Sequence, residues 1–206
     1  MGVPKLKPPS QSQDPKRSSS NTNWLKLLRD IGGSIRQSIL DPQQYWDDVS
    51  LQKKTRRELF EQYIYILAGI PAVCGFGSKV IFSGGSDLEA LAYALIGYLL
   101  SVTVVYIACI IAQRTAPIFD GSLTSDEASK LVVFSSLPFF ISGIFLLFPF
   151  GASLSLLGFY SVYLFHIGIK SLSRIPEAKQ MTYLMLNIVA WLLVAMLMVE
   201  VLSLGI

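Results

Sequence analysis

The stretch that decides the fold is LVVFSSLPFFISGIFLLFPFGASLSLLGFYSVYLFHIGI, residues 131–169, which contains no aspartate, glutamate, lysine or arginine. A helix needs about 20 apolar residues to cross a hydrocarbon core of about 30 Å, so this stretch is long enough for two crossings. Proline and glycine interrupt it in Phe-Pro-Phe-Gly, residues 148–151. We predict the turn between two membrane spans there, with the spans over residues 131–150 and 151–169.

Three further apolar runs flank this stretch, at residues 63–82, 90–112 and 183–204, and each is long enough for one crossing. The only charged residues within the five runs are Lys79 and Glu200. Only 15% of the chain is charged, against about a quarter in soluble domains. Soluble helices also keep a polar face, which these runs lack. The sequence therefore predicts an all-α, polytopic membrane protein with five transmembrane helices in a domain over residues 62–206.

The basic residues lie almost entirely on one side of the predicted spans. If the N-terminus is cytoplasmic, residues 1–61, 113–130 and 170–182 hold all but one of the 17 lysines and arginines, and only Lys79 lies near the other face. Cytoplasmic segments of membrane proteins carry such an excess. We therefore predict a cytoplasmic N-terminus and, after an odd number of crossings, a C-terminus outside.

The segment before the first span divides into two parts. Residues 1–23 are polar and rich in proline and serine, so we predict a disordered tail. Residues 24–61 are predicted to form cytoplasmic amphipathic helices. Asp41 followed by Pro42 is typical of an N-cap and first helical position. The helix before it, residues 24–40, could lie on an anionic leaflet or pack on the protein's own surface.

Basic and aromatic side chains of this segment are candidate contacts to the membrane surface or to a partner. They are Trp24, Lys26, Arg29, Arg36, Trp46, Lys53, Lys54, Arg56 and Arg57. Phosphate-rich membrane surfaces attract such clusters at about 1 kcal/mol per cation.

Several residues inside the predicted spans have candidate structural roles. Pro71 and Pro138 remove a backbone hydrogen bond and predict helix kinks. Lys79 and Glu200 are predicted to share a depth near the outer face, where they could form an ion pair or extend separately to the interface. Asn187 is predicted to bond between helices. An N-cap is predicted at Thr124 or Ser125, before the third span.

The inventory of reactive side chains is short. His166 is the only histidine, which excludes His-cluster metal sites and the HExxH zinc motif. Ser153 and His166 would lie roughly 20 Å apart along one predicted helix, too far for a catalytic dyad. His166 is then either a proton relay or an interfacial histidine. We predict no catalytic residue, no metal and no cofactor.

The segments that carry a family resemblance are AGIPAVCGFG (68–77), VVFSSLPFFISGIFLLFP (132–149) and LSLLGFYSVYLFHIGIKSL (154–172), with Asp41-Pro42 and Tyr45-Trp46 before them. They are similar to sequences of the Yip (Ypt-interacting protein) family. The chain resembles the family's bacterial inner-membrane branch from residue 41 to about 200. The resemblance implies a five-span domain with a cytoplasmic N-terminal region. Eukaryotic members are non-enzymatic adaptors that bind small GTPases and one another. The Asp-Leu-Tyr-Gly-Pro stretch that many of these members carry between their first two spans is missing here, so GTPase binding is not expected.

The functional hypothesis is a membrane scaffold or adaptor of the Yip type, without enzymatic activity. Its basic N-terminal region would engage a cytoplasmic protein partner or the anionic leaflet. The alternative is a small transporter or channel for a neutral solute or lipid, using the kinks at Pro71 and Pro138. Expected partners are the lipid bilayer, a cytoplasmic protein and a second copy of the chain, with no nucleic acid. The expected location is a bacterial inner (plasma) membrane, or an endomembrane in a eukaryote.

Overall fold

The computed structural model of the chain describes residues 29–83, 86–148 and 155–205, and these residues form seven helices and no strand. The helices are α1 (residues 29–40), α2 (Pro42–Leu51), α3 (Arg56–Phe82), α4 (Asp87–Phe119), α5 (Ser125–Leu147), α6 (Leu156–Leu172) and α7 (Glu177–Gly205). The predicted all-α class is confirmed for this part of the chain. The tail predicted over residues 1–23 lies outside it.

Four helices are long and apolar enough to cross a membrane, namely α3, α4, α5 and α7. Helix α6 is apolar but shorter, at about 25 Å for a rise of 1.5 Å per residue. It covers most of the span predicted over residues 151–169. The predicted turn before it falls largely outside the described residues, although Phe148 leaves α5 with an extended backbone.

Both predicted helix starts are confirmed. The Asp41 carboxylate accepts a hydrogen bond from the Gln44 amide at 3.1 Å, and Pro42 takes the first helical position of α2. At the start of α5, the Thr124 hydroxyl accepts from the Glu127 amide at 3.2 Å, while the Glu127 carboxylate accepts from the Thr124 amide at 2.8 Å. This reciprocal capping satisfies amides that have no partner within the helix.

The prolines lie where α3 and α5 depart from regular geometry. Pro138 is inside α5, and the next amide, that of Phe139, donates to the Ser161 hydroxyl of α6 at 3.1 Å. Beyond Ser142, α5 continues only as a 3₁₀ turn. Pro71 lies in α3 just after a turn at Ala68. The neighbouring helix α6 thus accepts a hydrogen bond from a backbone amide next to the proline in α5. Membrane helices that contain proline need such partners from neighbouring helices.

Helices α5 and α6 pack antiparallel. A Cβ atom on Gly168 would lie 2.6 Å from Cδ1 of Leu131, and one on Gly158 would lie 3.2 Å from Cδ2 of Phe139. The absence of side chains at these glycines lets the two helices approach closely. At one end, the Ser122 amide donates to the Ser173 carbonyl at 3.1 Å. Helix α6 therefore returns to the end of the bundle at which α5 begins.

Polar side chains join α7 to α4 at the same end. The Tyr183 hydroxyl donates to the Ala112 carbonyl at 2.8 Å, and the Asn187 amide donates to the Thr115 hydroxyl at 3.3 Å. Asn187 is fully buried, and its predicted bond between helices is confirmed.

Candidate functional site

One face of α2 is buried inside the helical bundle. Tyr45, Trp46 and Val49 are 2%, 0% and 1% exposed. The Trp46 ring packs so closely on α6 that a Cβ atom on Gly168 would lie 2.6 Å from its Cζ2. The Tyr45 ring meets Phe134 of α5 edge to face, at 6.1 Å between centroids. Helix α2 therefore fills the groove between α5 and α6.

The predicted contact of Trp46 with lipid or a partner is replaced by this packing, since a fully buried ring reaches neither. The indole Nε1 of Trp46 and the hydroxyl of Tyr45 have no hydrogen-bond partner among the described residues. Burial raises the pKa of the Tyr45 hydroxyl well above its ordinary value of 10.0, and the nearby Tyr63 raises it further. The aromatic face of α2 is thus a buried core contact that keeps the helix in place.

Helix α1 also packs on the protein along part of its apolar stripe. Ile31 is 7% exposed and belongs to the hydrophobic core, and Ile35 packs against that core. Nearer the end of α1, the Tyr160 hydroxyl of α6 donates to the Ser38 carbonyl at 2.9 Å. Of the two alternatives for this helix, residues 29–40 show packing on the protein.

Arg56 binds the start of α3 to α4 and α5. Its Nε donates to the Ser129 hydroxyl at 2.8 Å, and its Nη2 donates to Oε1 of Gln113 at 3.3 Å. Its backbone amide donates to the Asp126 carboxylate at 2.8 Å. The residue is half-buried, and both Nε and Nη2 of its guanidinium donate within the protein. Arg56 is therefore a structural link rather than the surface contact predicted for it.

Two lysines at this end also bond to the protein. Nζ of Lys54 donates to the Tyr63 hydroxyl at 2.8 Å. Lys130 is only 7% exposed, and its Nζ lies 3.5 Å from the Ser50 carbonyl in the last turn of α2. The C-terminal end of a helix carries partial negative charge, which favours a cation there. The sequence analysis missed Lys130 as a site residue, although its position directly before an apolar run was a signal.

The remaining cations at this end are exposed. Arg57 pairs with Glu61 at 2.7 Å. Four others make no ion pair within the described part of the chain, and we call them the cationic surface: Lys53, Arg114, Lys170 and Arg174. Arg114 lies on α4 and Lys170 on α6, whereas Lys53 precedes α3 and Arg174 follows α6. The bonds of Arg56 join the start of α3 to α4 and α5, and the Ser122–Ser173 bond joins the segment before α5 to the end of α6, at the same end of the bundle.

The other predicted contact residues are distributed as follows. Arg29 and Arg36 are exposed on α1, whereas Trp24 and Lys26 lie outside the described residues. Three members of the cationic surface were predicted only as loop charges, because their arrangement at one end of the bundle depends on how the helices pack.

Near the opposite end, Nζ of Lys79 lies 3.8 Å from the centroid of the Tyr93 ring on α4. A cation over an aromatic face is stabilised by the ring's negative quadrupole. Glu200 is exposed on α7. The ion pair between Lys79 and Glu200 stays a prediction.

No group of three or more His, Cys, Asp and Glu residues that could hold a metal ion occurs in residues 29–83, 86–148 and 155–205. His166 on α6 is half-buried, and its Nδ1 has no hydrogen-bond partner among these residues. Whether it relays protons stays untested.

Four helices of membrane-crossing length, bound together by buried aromatic and polar contacts, define a multi-pass membrane protein. The model of the Yip1 domain matches residues 36–199, and the chain therefore belongs to the Yip1 domain family, whose members are non-enzymatic membrane proteins. The predicted family is confirmed. Because the match begins within α1, the docked helix α2 is part of the family domain. Neither a curated protein nor a solved structure is detectably similar to the chain.

Proposed function

We propose that the protein is a non-catalytic membrane scaffold of the Yip type whose cationic surface binds an acidic protein in the cytoplasm. The observation that supports this is a group of four exposed cations, Lys53, Arg114, Lys170 and Arg174, which make no ion pair within the described residues and belong to the end of the bundle at which α5 begins. Complementary charge steers encounter and selects partners more than it adds affinity. Binding should therefore weaken as salt is added, because exposed charges are screened.

We further propose that the chain crosses the membrane five times, with the N-terminus in the cytoplasm and the C-terminus outside. The bond between Ser122 and Ser173 supports this, because α6 returns to the end at which α5 begins. A bacterial inner membrane is the expected location. A reporter that is active only outside should be active when fused after residue 206, and activity of a cytoplasm-only reporter there would contradict the topology.

The partner experiment has to spare α2. Removing residues 1–60 would uncover the buried faces of α5 and α6, so loss of binding after that deletion would be ambiguous. Charge reversal at exposed positions avoids this difficulty. We choose Arg114→Glu with Arg174→Glu, in protein held in nanodiscs of neutral lipid and presented to an extract of its native membrane and cytoplasm.

The wild-type protein should capture a specific acidic protein that elutes with salt, and the double variant should lose it. The matched control is Arg29→Glu with Arg36→Glu, which changes the charge equally on α1. Loss of the partner only in the control would place binding on α1. If no protein is captured but the cationic surface binds anionic lipid vesicles, the leaflet is its ligand and the adaptor proposal fails.

A further inference from the structure

The end of α2 lies at the same level of the bundle as the charged ends of α4 and α5. In the last turn of α2, the Ser50 carbonyl lies 3.5 Å from Nζ of Lys130 on α5. Arg56 joins Ser129 of α5 to Gln113 of α4, at distances of 2.8 and 3.3 Å. Ser50, Lys130 and Gln113 therefore mark one level, which we call the reference level, and depth into the bundle is measured from it.

The junction of α1 and α2 lies much deeper between the spans. The Tyr160 hydroxyl of α6 donates to the Ser38 carbonyl at 2.9 Å, three residues before the junction at Asp41. Tyr160 precedes Gly168 by eight residues, or about 12 Å along α6. Gly168 packs against Leu131, the residue next to the reference level. The contact of α1 with Tyr160 therefore lies roughly 10–13 Å deep.

Two other observations give a similar depth. Ile39, at the end of α1, lines an apolar cavity together with Leu137 of α5. Leu137 follows Lys130 by seven residues, or about 10 Å along α5. Asp41 precedes Ser50 by nine residues, or about 14 Å along α2. Helix α2 therefore runs along the bundle from the reference level to a depth well inside the spans.

The outer face of α2 is polar over this whole distance. Its buried face is formed by the aromatic contacts described above. The exposed residues between positions 43 and 48 are Gln43, Gln44, Asp47 and Asp48. Arg36, close to the junction on α1, is exposed as well. Charged side chains in hydrocarbon are costly, so this side of the bundle requires water at a depth at which helices are normally surrounded by lipid.

Helix α4 is apolar at the same depth. Ile110 and Tyr106 are 36% and 46% exposed. They precede Gln113 by three and seven residues, which places them about 5 and 10 Å deep. Apolar surface on the outside of a membrane-crossing helix is stable in hydrocarbon and unfavourable in water. Beside α4, the hydrocarbon therefore begins within about 5 Å of the reference level.

A bilayer with a level surface does not suit both sides of the bundle. If hydrocarbon begins at Ile110 all around, it surrounds the acidic face of α2. If it begins at the junction all around, it leaves the outer surface of α4 in water. From Leu137 to Phe148, α5 then offers only about 16 Å of the roughly 30 Å that a bilayer core needs. Bilayers adapt to a short apolar surface by becoming thinner beside it, at modest cost.

We propose that the outer face of α1 and α2 depresses the cytoplasmic leaflet by about 5–10 Å, so that the bilayer is thinner beside α2 than beside α4. Water covers residues 43–48, and the hydrocarbon begins at Ile39 and Leu40, which are 60% and 70% exposed. The assignment to the cytoplasmic leaflet rests on the topology proposed above, whereas the difference in thickness does not.

Nitroxide labels on single cysteines measure this difference in the full chain, with Cys74 and Cys109 replaced by alanine, in phosphatidylcholine vesicles. Labels are placed at residue 44, about 9 Å deep, and at residue 110, about 5 Å deep. The label at residue 44 should collide with a water-soluble nickel complex severalfold more often, although it lies deeper. Oxygen, which concentrates in hydrocarbon, should favour residue 110. Leu51→Cys and Leu99→Cys, 80% and 63% exposed, give the reference values for water and hydrocarbon.

A matched pair of variants tests whether the polar face causes the depression. Gln43→Leu with Asp47→Leu makes this face apolar, so hydrocarbon should rise along α2 and lower the nickel collisions at residue 44 severalfold. Asp87→Leu, exposed at the opposite end of α4, removes the same charge and should leave these collisions unchanged. Equal thermal unfolding of all variants in detergent shows that the fold is kept.

Three results would overturn the proposal. Equal nickel collisions at residues 44 and 110 mean that the bilayer surface is level around the bundle. A hydrocarbon value at residue 44 means that α2 lies in lipid without a depression. If neither nickel nor oxygen reaches residue 44, protein covers this face, either residues 1–28 or a second copy of the chain. None of these results depends on which side of the membrane is cytoplasmic, so the topology can fail separately in the reporter assay.

Discussion

Replacing Trp46 with alanine should release α2 from the bundle. The ring is fully buried against α6, and truncating a buried tryptophan typically costs about 3–5 kcal/mol. The indole Nε1 has no partner in the described part of the chain, and an unpaired buried N–H costs about 1–3 kcal/mol that the variant no longer bears. The difference between these two ranges is centred on about 2 kcal/mol, which is the loss we expect.

Trp46→Phe separates these two contributions. The smaller ring leaves a gap that costs about 1 kcal/mol, and removal of the unpaired N–H offsets this by a similar amount. The phenylalanine variant should therefore keep α2 docked, with a free energy of docking within about 1 kcal/mol of the wild type.

Hydrogen exchange over Pro42–Leu51 measures the docking of α2. A helix of 10 residues is marginal in water by itself, so slow exchange of its amides reports its packing against α5 and α6. Because about 1.4 kcal/mol corresponds to tenfold, Trp46→Ala should speed exchange about thirtyfold and Trp46→Phe less than about fivefold. Peptides are measured by mass spectrometry on the protein in nanodiscs.

Leu51→Ala is the control, since this side chain of the same helix is 80% exposed and its loss should change stability by less than about 0.5 kcal/mol. If Trp46→Ala exchanges at the wild-type rate, α2 is not held by its aromatic face. If phenylalanine is as harmful as alanine, the indole N–H has a hydrogen-bond partner and the energetic reasoning is wrong.

Three further substitutions test other contacts. Gly168→Ala introduces a Cβ atom 2.6 Å from its nearest neighbours and should lower the stability of the protein in thermal unfolding by about 1–3 kcal/mol. Gly33→Ala is the control, because a Cβ atom there has nothing within 4 Å, and it should leave the stability unchanged or raise it by up to about 1 kcal/mol. Equal effects at the two glycines would contradict the close approach of α6. Arg56→Lys cannot keep the fork of donors to α4 and α5 and should cost about 1–3 kcal/mol; an unchanged melting temperature would contradict this role. Lys79→Glu and Glu200→Lys should each destabilise, with recovery in the double variant if the two residues pair; no recovery rejects the pair.

The architecture of the spans was predictable because it depends on local composition. Residues 131–169 contain no aspartate, glutamate, lysine or arginine, and a stretch of this length and composition suits membrane crossing. The helix starts at Asp41 and Thr124 depend on bonds to amides three residues away, which a short motif encodes. Helix ends were less predictable. Helix α4 runs from Asp87 to Phe119, beyond the predicted 90–112, because a helix continues past the hydrocarbon where polar residues are tolerated.

The burial of α2 was not predictable from the segment itself. An apolar stripe with a tryptophan suits a membrane surface and a protein groove equally. What decides between them is Gly168, far away in sequence, whose missing side chain makes room for the Trp46 ring. Arg56 is a similar case, because its partner Ser129 is 73 residues distant. Contacts of this kind depend on how helices pack and leave no local pattern.

The docking of α2 also bears on partner binding. Residues 52–55 connect α2 to α3 along the chain, and they carry Lys53 of the cationic surface. Burial of Trp46 fixes one end of this link, and the bonds of Arg56 fix the other. Trp46→Ala should therefore weaken capture of the acidic partner although it removes no charge, while Trp46→Phe should not. Equal capture by both variants would mean that Lys53 contributes to binding without a fixed position. The partner would then recognise net charge rather than a defined surface.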